Sequence, residues 1–94
     1  MTDDEIFDAV QRAVIFAKSE VVALTPAQID LDTALAEPPI YLDSLEFIAM
    51  VTYLEEAFGL IAEDDHLTPK TMRTVRGVVA TARTWVAGEA AAWK

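Results

Sequence analysis

Leu42-Asp43-Ser44-Leu45-Glu46-Phe47-Ile48-Ala49-Met50-Val51-Thr52-Tyr53-Leu54-Glu55-Glu56-Ala57-Phe58-Gly59 is the run of residues that says most about how this chain folds. Phe47, Met50, Val51, Leu54 and Phe58 recur at steps of three and four, the spacing that puts side chains on one face of an α-helix. Either Asp43 or Ser44 can supply the side-chain oxygen that the first turn needs as a cap, and Gly59 is the usual stop. The pattern predicts a helix over 44–58 with an apolar side turned inward.

Upstream, Thr2 and Glu5 have capping-box spacing, and Ile6, Val10, Ala13, Val14, Ala17 and Val21 continue one apolar stripe. A first helix is expected at about 3–24, ended by Thr25-Pro26. Residues 25–43 mix turn formers with Ile29, Leu31, Leu35, Ile40 and Leu42, and Pro38-Pro39 opposes helix. They read as a long ordered loop that packs over the helices. Downstream, 60–73 reads as loop with one short helical turn near 68–72. Thr74 as cap and Val75, Val78, Val79, Ala82 and Val86 as stripe give a last helix at about 74–87, followed by Gly88 and a short tail. The expected architecture is all-α: a single domain over 1–94, built as a small four-helix bundle of three main helices and a short third one.

At 94 residues the chain has no room for separate catalytic and substrate-binding domains. Its 53% hydrophobic content argues for a folded protein, while no apolar run approaches the roughly 20 residues of a membrane span. The opening MTDDEIF has acids where a secretory signal carries bases, so no export is expected and the cytoplasm is the default location. Cysteine is absent, which excludes disulfides, thiolate nucleophiles and Cys-type zinc sites. Charge is uneven: residues 1–65 hold 15 acids against Arg12 and Lys18, a balance of −13, while 66–94 hold Glu89 against five bases, a balance of +4. Such a field repels nucleic acid and anionic lipid. It can steer basic protein surfaces, although by charge alone a solvated acidic face is the commoner reading.

Catalytic signatures are missing. There is no phosphate loop, dinucleotide fingerprint or HExxH, and the sole histidine, His66, lies among acids without regular ligand spacing, so no metal site is assigned. A Ser44–His66–Asp triad has nothing in the sequence to assemble it. The pairs Glu55-Glu56 and Asp64-Asp65 read as solvated charge, and Trp85 and Trp93 as packing or surface aromatics. A non-enzymatic role is expected.

One constellation remains. Leu42-Asp43-Ser44-Leu45, followed by an acidic amphipathic helix ending Leu54-Glu55-Glu56-Ala57-Phe58-Gly59, resembles the acyl carrier protein family; with the upstream helix, the loop and Thr74-Val75, the likeness covers most of residues 3–87. The resemblance implies a bundle of acyl-carrier type and a covalent 4'-phosphopantetheine on Ser44, with Asp43 as motif neighbour, installed from coenzyme A and Mg²⁺ by a separate phosphopantetheinyl transferase. It also implies docking of acyltransferases, ketosynthases or other acyl-processing enzymes on the second helix, by a chain that works as a monomer. A phosphodiester at that position would meet the N–H groups and positive dipole of a helix start. Helix geometry puts Ile48 and Thr52 in line with Ser44, with Leu45 beginning the same side and Glu46, Ala49, Glu55 and Glu56 completing the expected partner surface.

The motif also departs from the family. Pro38-Pro39-Ile40-Tyr41-Leu42-Asp43-Ser44 lacks the glycine common before the motif, and Ala49 and Ala57 stand where housekeeping fatty-acid carriers commonly have acids. These differences point toward a dedicated partner set, as in polyketide or other secondary pathways. An aminoacyl or fatty-acid carrier, or an unmodified helical interaction module of the same fold, stays open.

Overall fold

The computed structural model describes residues 2–38, 40–61 and 73–87. Three α-helices follow in order, α1 (Asp3–Lys18), α2 (Ser44–Phe58) and α3 (Val75–Ala87), with a 3₁₀ turn at Pro26–Gln28. Among the described residues there is no strand, only an isolated bridge between Ala34 and Thr74. The expected short turn near 68–72 and the tail lie outside the described residues.

Each helix starts where its sequence supplies an acceptor. Thr2 caps α1 and Asp43 caps α2, each in a full capping box. For α3, Thr74 Oγ1 accepts from the Gly77 N–H at 3.2 Å. The end of α2 depends on Gly59, whose φ of 68° is left-handed and costs a glycine nothing sterically. The reversed chain then bonds Leu60 N–H to the Glu55 carbonyl and buries the Leu60 side chain.

The first helix is shorter than the stripe predicts, ending at Lys18 rather than near 24. Ser19 adopts the last helical turn but its hydroxyl bonds back to the Phe16 carbonyl at 2.8 Å, and Val21 and Val22 amides both turn onto the Lys18 carbonyl. Val21, expected on the inner stripe, is 71% exposed. The gain from stopping early is that Leu24 and Ile29 swing into the core.

α1 is central and packs against both α2 and α3. Its Ile6, Val10, Ala13 and Val14 are buried, facing Met50, Val51, Leu54 and Phe58 of α2 and Val75, Val78, Val79, Ala82 and Trp85 of α3. Burying an aliphatic side chain contributes about 1.5–3 kcal/mol, so this interior is the main source of stability in a chain without disulfides. Leu35 and Ile40 join it from the long loop. That loop is also tied by polar bonds: Leu35 N–H to Arg73 O at 2.8 Å, Val75 N–H to Thr33 O at 3.0 Å, and Arg76 N–H to Leu31 O at 2.7 Å. Gln11 holds its other end through the Pro26 and Ile29 carbonyls. The segment leading into Ser44 is therefore fastened at both sides.

The opposed charges of the two chain halves partly meet. Arg83 pairs with Asp3 at 2.9 Å and Arg76 with Asp32 at 3.0 Å, both exposed. No helix among the described residues is long and apolar enough to cross a membrane.

Candidate functional site

The start of α2 is built from two carboxylates with different tasks. Asp43 Oδ1 accepts from Glu46 N–H at 2.7 Å, and Glu46 Oε1 returns the bond to Asp43 N–H at 2.9 Å. Of the two cap candidates, the structure uses Asp43. Ser44 becomes the first helical residue, exposed, and its hydroxyl has no hydrogen-bond partner among the described residues. As in any helix, the N–H groups of Ser44 and Leu45 have no intrahelical acceptor. The Ser44 hydroxyl is therefore uncovered and unbonded, between the Asp43 cap carboxylate and the first free N–H groups of α2.

Glu46, expected on the partner surface, is mostly covered. Its side chain is only 13% exposed, because Lys18 reaches from the end of α1 to place Nζ 2.9 Å from Glu46 Oε1. The same ammonium donates to the Tyr41 carbonyl at 3.2 Å. Lys18 is itself 9% exposed along its side chain, so both charges are largely withdrawn from water and compensate each other. Glu46 thus holds Lys18 and the cap together.

Tyr41 is the other residue the sequence did not single out for a site. Its φ of 49° makes it the one non-glycine residue with positive φ among those described. That conformation costs an L-residue about 1–2 kcal/mol. It buys a sharp change of direction: Ile40 is fully buried, Tyr41 is 63% exposed, and the carbonyl between Tyr41 and Leu42 faces the Lys18 ammonium. Tyr41 N–H bonds to Glu37 O and Leu42 N–H to Leu35 O, which completes the turn. The available signal was thin: Lys18 is the last base before Lys70, and the Pro38-Pro39-Ile40-Tyr41 run has no glycine for the bend.

Along α2 beyond Ser44, Leu45 is 78% and Ile48 58% exposed, and Thr52 and Glu56 are exposed as well. Tyr41 and Leu45, close to Ser44 in sequence, are exposed apolar side chains. Ala49 is half-buried, and so is Glu55, leaving Glu56 as the more accessible of the two adjacent acids. Ala49, Thr52, Tyr53, Glu56 and Ala57 line an open groove of about 540 Å³ whose opposite wall is Phe16 of α1. The Phe16 and Tyr53 rings, both in its lining, lie 5.4 Å apart at 38°, a tilted pair.

His66, Asp64, Asp65 and Trp93 lie outside the described residues, and Trp85 is buried in the core. No cluster of three potential metal ligands occurs among the described residues. No protein-family model matches the chain, and no curated protein matches it in sequence.

Proposed function

We propose that this protein is an acyl carrier: Ser44 bears a 4'-phosphopantetheine arm, and the chain presents acyl intermediates to biosynthetic enzymes. The observation that carries the reading is the state of Ser44, a motif serine that is exposed and relieved of capping duty by its Asp43 neighbour. The arm, when attached, supplies the thiol that the cysteine-free chain lacks, and it holds the acyl group as a thioester. Tethering raises the effective concentration of the cargo at whichever enzyme docks.

In this reading the chain contributes no catalysis. It works in the cytoplasm as a monomer with a bundle of acyl-carrier type. Leu45, Ile48, Ala49 and Thr52 give docking enzymes an apolar contact, with Glu56 and the less exposed Glu55 attracting basic patches on the phosphopantetheinyl transferase, acyltransferases and ketosynthases. The shortage of acids at Ala49 and Ala57 favours a polyketide or related secondary pathway over housekeeping fatty-acid synthesis.

Intact-mass measurement tests this directly. Incubation with coenzyme A, Mg²⁺ and a broad-specificity transferase is expected to add about 340 Da, the mass of the arm, to the wild type and nothing to Ser44→Ala. No gain in the wild type overturns the reading and favours an unmodified interaction module. A gain that persists in Ser44→Ala moves the arm to another residue.

A further inference from the structure

We propose that Lys18 is a positioning residue for the modification of Ser44; the inference rests on the carrier reading above. Lys18 lies 26 positions before the serine and does not touch it, yet its ammonium binds the two groups that set the serine's approach. One is the carbonyl of Tyr41, the residue whose left-handed backbone turns the chain into α2. The other is Glu46 Oε1, which also receives the Asp43 amide and so completes the cap directly before Ser44. A single cation therefore fastens residues 41, 43 and 46 to the end of α1.

Two features separate this from an ordinary surface ion pair. Both side chains are nearly withdrawn from water, where taking a pair out of solvent brings little net stability compared with apolar residues of like size. And the pair secures a strained turn, since a tyrosine at positive φ relaxes unless its surroundings hold it. The transfer step explains why such rigidity matters. Ser44 Oγ must attack the pantetheine-bearing phosphorus of coenzyme A in line, forming one P–O bond as the pyrophosphate P–O bond breaks. Adenosine 3',5'-bisphosphate leaves, and the hydroxyl proton passes to a base on the transferase. Misplacement by about 1 Å can cost on the order of 100-fold in such a step.

The test uses the full chain as the transferase's protein substrate, comparing wild type with Lys18→Met/Glu46→Gln. Methionine keeps the unbranched apolar stem, and glutamine keeps the acceptor of the capping box, so the double variant leaves no buried charge unpaired. Leu45, Ile48 and Thr52 are untouched, so KM is expected to stay within about twofold while kcat falls about tenfold. Amide exchange at Leu42 and Asp43 is expected to accelerate, with Val10 and Val14 of the core unchanged; a merely structural loss would speed all of them together. A double variant that folds and keeps the wild-type kcat, or whose Leu42 and Asp43 amides exchange as before, overturns the proposal while leaving the carrier reading intact. Failure of the wild type to gain the arm overturns both.

Discussion

α1 and α2 open with the same local device and put it to different ends. In both, the cap residue and the residue three positions on exchange reciprocal bonds: Thr2 N–H to Glu5 Oε1 at 2.7 Å with Glu5 N–H to Thr2 Oγ1 at 3.2 Å, and the Asp43–Glu46 pair at 2.9 and 2.7 Å. At α1 three acids, Asp3, Asp4 and Glu5, already crowd the positive end of the helix dipole, and the box stands in solvent. At α2 the first turn holds a single acid, Glu46, and its charge is answered by Lys18. What remains at the start of α2 is the exposed Asp43 cap carboxylate and, beside it, the uncharged Ser44 hydroxyl with N–H groups that lack intrahelical acceptors and an exposed leucine. The same reciprocal bonding thus crowds one helix start with acids in solvent and, at the other, ties the glutamate of the box to a lysine from a neighbouring helix.

The largest effect should come from removing one half of the clamp. Lys18→Met alone leaves Glu46 without its counter-charge, and denaturant melts should show a loss of about 3 kcal/mol, against a much smaller loss for the Lys18→Met/Glu46→Gln double variant. Next is the cap itself: Asp43→Ala should cost about 1 kcal/mol, and Thr2→Ala about half of that, because α1 can fray at an exposed end while α2 is tied to the core. Ser44→Ala should change stability by less than about 0.5 kcal/mol, which separates the capping residue from the exposed serine beside it. If Ser44→Ala instead matches Asp43→Ala, the division of labour between them is wrong.

The smallest effect is a pH dependence at α1. Hydrogen bonds from the Thr2 backbone N–H, and then those involving its side chain, hold the Glu5 carboxyl below its ordinary value. A depressed carboxyl contributes stability that is fully present above the ordinary glutamate range and is lost as pH falls through the depressed value. An NMR titration of the Glu5 side chain should report the lowered midpoint, and Thr2→Ala should raise it toward the ordinary range.

Much of the frame is legible locally. Capping residues, the Phe47/Met50/Val51/Leu54/Phe58 spacing and Gly59 act through bonds and contacts within one or two helical turns, so their consequence for α2 can be derived without knowing what lies opposite. Val21 shows where that logic stops: its position continues the α1 stripe, yet the chain has already turned at Ser19 and left it exposed, because Leu24 and Ile29 fill the core better from a loop. Glu46 shows the same for the site. On helix geometry it belongs to an exposed acidic edge, and the arrival of Lys18 from α1 leaves its side chain mostly covered.

From its order of residues alone, this protein determines that it is helical, where α2 begins and ends, and that Ser44 stands at a helix start; short-range hydrogen bonding and helical periodicity suffice for these. Only the tertiary structure decided that Tyr41 is bent into positive φ and that Lys18, 23 residues upstream, braces the turn. Those outcomes depend on which distant groups are brought within about 3 Å and shielded from water, a condition that no pattern along a single chain expresses.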